Sequence, residues 1–179
     1  MEILIRLLIY SLASSAIFVQ KQNRSHYSPD RALSAIVIPV GKKGFEEQES
    51  RIEIRDGAKT LLRWRSFASS DGEHGRGVYH AQWTADGQFF VFNAPSSGGH
   101  QPWNLATYFY SRKRNRFYSL DDFIGPATSD FTLQGRNILK ITRMNFERKL
   151  QKEPVRVRLE NVEGAAQRGS ASKTKRLSI

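Results

Sequence analysis

The chain has 179 residues and no cysteine, enough for one domain or two very small ones, which excludes a disulfide scaffold, a cysteine nucleophile and a thiolate metal cluster. Apolar residues make up 39% and charged residues 25%, with three tryptophans, six tyrosines and eleven phenylalanines, sufficient for a packed core. Lys and Arg number 28 against 17 Asp and Glu, a net charge of +11 that attracts anions without naming one, and a solvated cationic surface with no partner has the same composition.

The first twenty residues stand apart. MEILIR is followed by LLIYSLASSAIFV, an apolar run with one arginine before it, and the small residues Ser14 and Ala16, or Ala13 and Ser15, have the spacing of a signal-peptide cleavage site. This predicts export to a periplasmic or secreted location. The run from Ile3 to Val19 is slightly short for a comfortable bilayer span, so an N-terminal membrane anchor and a first core element of a cytoplasmic domain are the alternatives. An exported domain without cysteines must be held by packing, which points to one aromatic-rich β core.

From Ala32 onward, short β-branched and aromatic runs alternate with Gly, Pro, Asp and Ser turns, and no window keeps a 3.6-residue apolar period for three turns. The pattern predicts an all-β domain over residues 21–162. Strands are expected at 33–39, 51–55, 60–65, 78–83, 88–93, 104–110, 116–120, 137–143 and 154–160. QFFVFN is apolar on both faces and reads as an interior strand, whereas RIEIR and VRVRL alternate strictly, with Ile52, Ile54, Val155, Val157 and Leu159 inward and arginines outward. GKKGFEEQE, at 41–49, reads as a solvated hairpin of mixed charge, and MNFERKLQKE, from Met144 to Glu153, as a short helical turn between strands. Residues 163–179 have four basic residues against Glu163 and no apolar stripe, the composition of a basic disordered tail.

Three turns recur near 50 residues apart, SPD at 28–30, TADG at 84–87 and LQG at 133–135, each ahead of an apolar strand. The central unit orders itself as VYHAQW, tight turn, QFFVFNA, longer loop, NLATYFY, basic turn and RFYSL, a four-stranded antiparallel meander. Its WTADGQFFVF segment, Trp83 to Phe92, and the SPDRALSAIV segment, Ser28 to Val37, resemble the W-S-P-D-G-x-x-[IL]-[AV]-F repeat of TolB-type (PD40, WD40-like) β-propellers. The sequence departs from that repeat in having Arg31 where glycine is usual and neither Pro nor Asp in the third turn. The resemblance implies a binding or scaffolding propeller, commonly exported in bacteria, with no catalytic set to carry over. Propellers typically close with 4 to 8 blades, and this chain holds at most three. The expected fold is therefore a partial β-propeller of up to three antiparallel four-stranded blades, with a nine-stranded β-sandwich as the alternative and self-association through free sheet edges as a corollary.

A meander places successive connections at alternate ends, so the loops at 66–77, 94–103 and 121–130 share one end, where binding residues on a rigid scaffold tend to collect. They bring Asp71, Glu73, His74, Arg76, His100, Gln101, Trp103, Asp121 and Asp122, a polar set with a tryptophan wall suited to a protein, peptide or glycan ligand. No cofactor is expected. His74 and His100 lack the compact i, i+4 spacing of a zinc helix, which argues against a metal. A hydrolase using these histidines with a loop serine or a metal is one alternative, although no G-x-S-x-G elbow is present. His80 reads as a packed side chain and His26 as an idle linker residue. At the other end, Arg112, Lys113, Arg114 and Arg116 make a cationic hairpin for an anionic polymer or membrane surface. Tyr108, Tyr110 and Tyr118 beside it could stack on bases, which keeps a basic nucleic-acid-binding protein as a further alternative, but their alternation with Phe109 and Phe117 reads more simply as core.

Overall fold

The structure, a computed structural model, describes residues 23–40, 49–57, 59–72, 74–98, 103–145 and 151–176. The first sheet runs in chain order through β1 (Arg24–Tyr27), β2 (Leu33–Pro39), β3 (Ser50–Asp56) and β4 (Thr60–Ser66). The second repeats the arrangement with β5 (Ala81–Trp83), β6 (Phe89–Asn93), β7 (Thr107–Ser111) and β8 (Arg116–Ser119). A short helix, α1 (Asp121–Ile124), leads to a third sheet of β9 (Thr132–Gln134), β10 (Ile138–Asn145) and β11 (Gln151–Arg158), and α2 (Leu159–Arg176) follows where a fourth strand would continue it. All strand pairs are antiparallel, and the three stacked sheets form propeller-like blades that do not close into a ring. The central meander expected between residues 78 and 120 is present, in order.

The two turns that carry the repeat motif have the same geometry. Ser28 Oγ donates to Asp30 Oδ1 (2.6 Å) and accepts from Leu33 N (2.9 Å), while Asp30 Oδ1 accepts from Ala32 N (3.2 Å). In the second blade Thr84 Oγ1 donates to Asp86 Oδ1 (2.7 Å) and accepts from Phe89 N (3.1 Å), and Asp86 Oδ1 accepts from Gln88 N (3.1 Å). The hydroxyl and the carboxylate thus satisfy the turn's own backbone, as Asx and Ser/Thr turns do. Both turns need a left-handed residue, supplied by Gly87 at φ 65° and by Arg31 at φ 57°. The arginine that departs from the repeat therefore keeps its conformation at a steric cost.

Two cores lie on opposite faces of the central sheet. Ala35, Val37, Ile52 and Ile54 of the first sheet pack against Trp83, Phe90, Phe92 and Tyr110 of the second. Phe89, Val91, Phe109 and Tyr118 face the other way, onto Phe131, Leu139 and Ile141, with Leu159 and Val162 of α2 closing the cluster. The period-2 alternation of each strand explains the division, since neighbouring residues on β6 serve different cores. β6 is buried on both faces, as its sequence predicts.

Some expectations are corrected. His26 is not an idle linker residue: it lies on β1, packs against Phe90 (5.5 Å between ring centres), and burial lowers its pKa. Met144 and Asn145 extend β10, and 151–153 begin β11, so these ends of the MNFERKLQKE stretch are strand rather than helical turn. Residues 163–176, expected as a disordered tail, belong to α2, whose start is anchored by buried Leu159, Val162 and Glu163. Glu49, assigned to a solvated hairpin, is fully buried. The apolar run at 3–19 and most of the GKKGFEEQE loop lie outside the described residues. Among the described residues, no helix is long and apolar enough to cross a membrane.

Candidate functional site

Glu49 organises the loop end of the molecule. Its carboxylate accepts hydrogen bonds from Gly75 N (2.6 Å), Ser69 N (3.1 Å) and Ser69 Oγ (2.5 Å), with Ser97 Oγ at 3.4 Å. Burial alone would raise its pKa, but the donors from Ser69, Gly75 and Ser97 outweigh that and hold the carboxyl below its usual range. The loop at 67–77 folds inward around this acceptor, and an antiparallel bridge between Arg76 and Ser96 joins it to the loop that follows β6. Gly75 is required by close approach. A Cβ there would stand 2.4 Å from both Glu49 Oε1 and the Phe67 carbonyl oxygen.

Around this pinned pair of loops the side chains converge unevenly. Asp71 Oδ2 pairs with His74 Nδ1 at the exposed tip. Arg76 donates to the Ala94 carbonyl (3.1 Å) and stands near Asp121 and Tyr108, whose proton affinities both feel its charge. Asp121 Oδ1 accepts from Thr107 N (3.1 Å), and burial pushes its pKa up to about 6 despite that bond and the Arg76 charge. The Arg65 guanidinium lies over Tyr108 (4.8 Å to the ring centre) and Phe67 (5.1 Å). Burial raises the Tyr108 pKa, and the rings of Tyr108 and Phe92 stack at 5.6 Å. The result is a polar shelf with two arginines, a carboxyl that titrates near neutrality and an aromatic floor.

Of the residues expected from the sequence, Arg76 and Asp121 are brought together, with Asp122 adding a further negative charge there. Asp71 and His74 form their own pair, and Trp103 is exposed on the adjoining loop. Glu73, His100 and Gln101 lie outside the described residues. Among the described residues, no group of three or more His, Cys, Asp or Glu could hold a metal ion. Ser69 is not arranged as a histidine-activated nucleophile. Its single hydroxyl proton lies between Glu49 Oε1 (2.5 Å) and Asp71 Oδ1 (2.7 Å), and its oxygen accepts from Gly72 N (3.0 Å) and His74 N (3.1 Å), so it serves the loop's backbone.

Glu49, Arg65 and Tyr108 were not among the residues singled out for this end from the sequence. A serine- and glycine-rich loop with many backbone donors needs an acceptor, and the glutamate immediately before β3 was the available signal.

The opposite, cationic end is largely committed within the molecule. Arg112 Nη1 pairs with Asp30 Oδ2 (2.6 Å), tying the β7–β8 hairpin to the first blade's turn. The Ser28 hydroxyl, Arg112 and Ala32 N together lower Asp30 to about 2. Arg114 Nε faces Glu163 (3.6 Å), Arg116 lies 5.8 Å from the Tyr118 ring centre, and Lys113 is exposed. Tyr110 and Tyr118 are buried, as core. His80 stacks on Phe131 at 4.4 Å between ring centres and joins the second blade to the third.

Comparison with protein-family models finds no match for this chain, and comparison with curated proteins finds none either. The architecture and the site geometry define the class: an all-β, propeller-like scaffold of three stacked sheets with a polar loop end.

Proposed function

We propose that the chain is a non-enzymatic, exported binding module built from TolB-type repeats, and that its long-loop end takes a carbohydrate or peptide ligand carrying an anionic group. The shared turn geometry at Ser28–Asp30 and Thr84–Asp86 supports the repeat assignment. The observation that carries the binding reading is the shelf formed by Arg65, Arg76, Tyr108 and Asp121 beside loops fastened to buried Glu49. Loops fixed before a ligand arrives lose little freedom on binding. The arginines suit a carboxylate or phosphate, exposed Trp103 on the adjoining loop offers an apolar face for a sugar ring or side chain, and Asp121 accepts hydroxyl or amide protons. Asp71, His74 and Trp103 form the rim.

Isothermal titration of the full chain with tetragalacturonate and with an acidic hexapeptide tests this reading. One of the two should bind, and Arg76→Ala should weaken it about tenfold or more, the loss of one charge-assisted contact. Binding that Arg76→Ala and Asp121→Asn leave unchanged, or no binding of either probe, refutes the assignment of this end.

A further inference from the structure

The third sheet presents one face to the second core and the other to solvent. On β11 exposure alternates strictly: Lys152, Pro154, Arg156 and Arg158 are exposed, and Glu153, Val155 and Val157 are half-buried on the reverse face. The register sets exposed Lys140 of β10 directly opposite Arg156, Ile138 opposite Arg158 and Met144 opposite Lys152. Lys140, Lys152, Arg156 and Arg158 therefore project from one surface, and exposed Arg136 sits in the turn at its edge.

Among the described residues none of these five forms a salt bridge. Arg143, whose side chain belongs to the reverse face, is by contrast paired with Glu153 (3.4 Å). Asp130 lines with Lys140 and Thr132 a shallow groove of about 180 Å³ at this face.

We propose that this face is a docking surface for an anionic phospholipid bilayer. A two-strand array of this length spans about 20 Å, so its charges can meet several lipid headgroups along one surface. Between the cations lie Ile138, Met144 and Pro154, aliphatic groups that the interface of a bilayer accommodates. Among the described residues the face carries no aromatic ring on which a base could stack, which disfavours nucleic acid. None of its basic residues belongs to the shelf of Arg65, Arg76, Tyr108 and Asp121, and the proposal stands whether or not that shelf binds a glycan or peptide.

Vesicle co-sedimentation of the full chain tests it, with phosphatidylcholine vesicles against vesicles in which a third of the lipid is phosphatidylglycerol. The anionic vesicles should bind more tightly, and the difference should shrink as salt is raised. Each basic residue near an anionic leaflet strengthens binding by about fivefold, so Lys140→Glu with Arg156→Glu should remove at least about 25-fold of the anionic preference. A charge-matched control on the first blade, Lys59→Glu with Arg63→Glu at an exposed position of β4, should remove less than about threefold. Circular dichroism checks folding, and the neutral pair Lys140→Gln with Arg156→Gln serves if the reversal variant is unfolded. Equal losses in the test and control pairs, the same affinity for both vesicles, or tighter binding to a duplex oligonucleotide that the Lys140 and Arg156 changes abolish would each overturn the proposal.

Discussion

Replacing Glu49 with glutamine keeps the volume and shape of the side chain and removes only its charge and one acceptor. In the native loop the carboxylate receives two backbone N–H groups, from Ser69 and Gly75, and competes with Asp71 for the Ser69 hydroxyl. A glutamine amide can accept through one oxygen, but its NH₂ group must then face donors that remain fixed. Losing one charge-assisted hydrogen bond and leaving a donor unsatisfied costs about 2–4 kcal/mol, a large share of a domain's stability. Acid should act in the same way. The folded-state pKa of Glu49 lies below its unfolded value of about 4.3, so its contribution is complete above that pH and is lost as the pH falls through the folded-state pKa. Urea unfolding followed by tryptophan fluorescence, with Trp83 as the buried reporter, measures both effects. The gap between the native protein and Glu49→Gln should hold steady from pH 8 to 5 and narrow below about pH 4. A gap under about 0.5 kcal/mol at pH 7, or parallel acid curves for the two proteins, would refute the argument that this carboxylate holds the loops.

Gly75→Ala should destabilise by about 1–3 kcal/mol or more in thermal melts, because the methyl group meets the Phe67 carbonyl as well as Glu49. Phe90→Ala should cost about 3–5 kcal/mol by urea denaturation, since Phe90 is fully buried between Trp83 and Phe92. For Asp121, carbon-detected NMR should give a midpoint of about 6. Its folded-state pKa exceeds the unfolded one, so its protonated form favours folding, that benefit falls away as pH rises from about 4 to 6, and Asp121→Asn should flatten this part of the stability profile.

The blade architecture was legible because each strand declares its faces. Ile52 and Ile54 alternate with charged residues, and the doubly apolar β6 announces an interior strand. The turns were legible for a chemical reason, since a hydroxyl and a carboxylate two positions apart are what such a turn uses to bind its own backbone. β1 was missed because RSHY has no apolar pattern and becomes a strand by pairing with β2, with His26 and the Trp83 indole, which donates to the His26 carbonyl (2.9 Å), fixing it to the core. The helix at 159–176 was missed because the apolar residues Leu159 and Val162 that bury its start, with Ala166 packed beside them, are followed in the sequence by no apolar stripe.

The candidate site was legible only to the level of which loops share an end. Meander parity fixes that much. Glu49 lies 20, 26 and 48 positions from the partners it binds, and no local spacing encodes such contacts. The charge of the hairpin at 112–116 was easy to read, but its internal use was not, because Asp30 and Glu163 come from other parts of the chain.

The second sheet contributes a wall to each core, and this determines how the molecule comes apart. Phe90 and Phe92 belong to one cluster while Phe89 and Val91 belong to the other, on consecutive positions of a single strand. Detaching either flanking blade would strip large rings of cover and loosen the strand that anchors the remaining blade. Melting should therefore be cooperative across all three, and a truncated pair of sheets should aggregate through its bared phenylalanines rather than persist as a smaller stable unit.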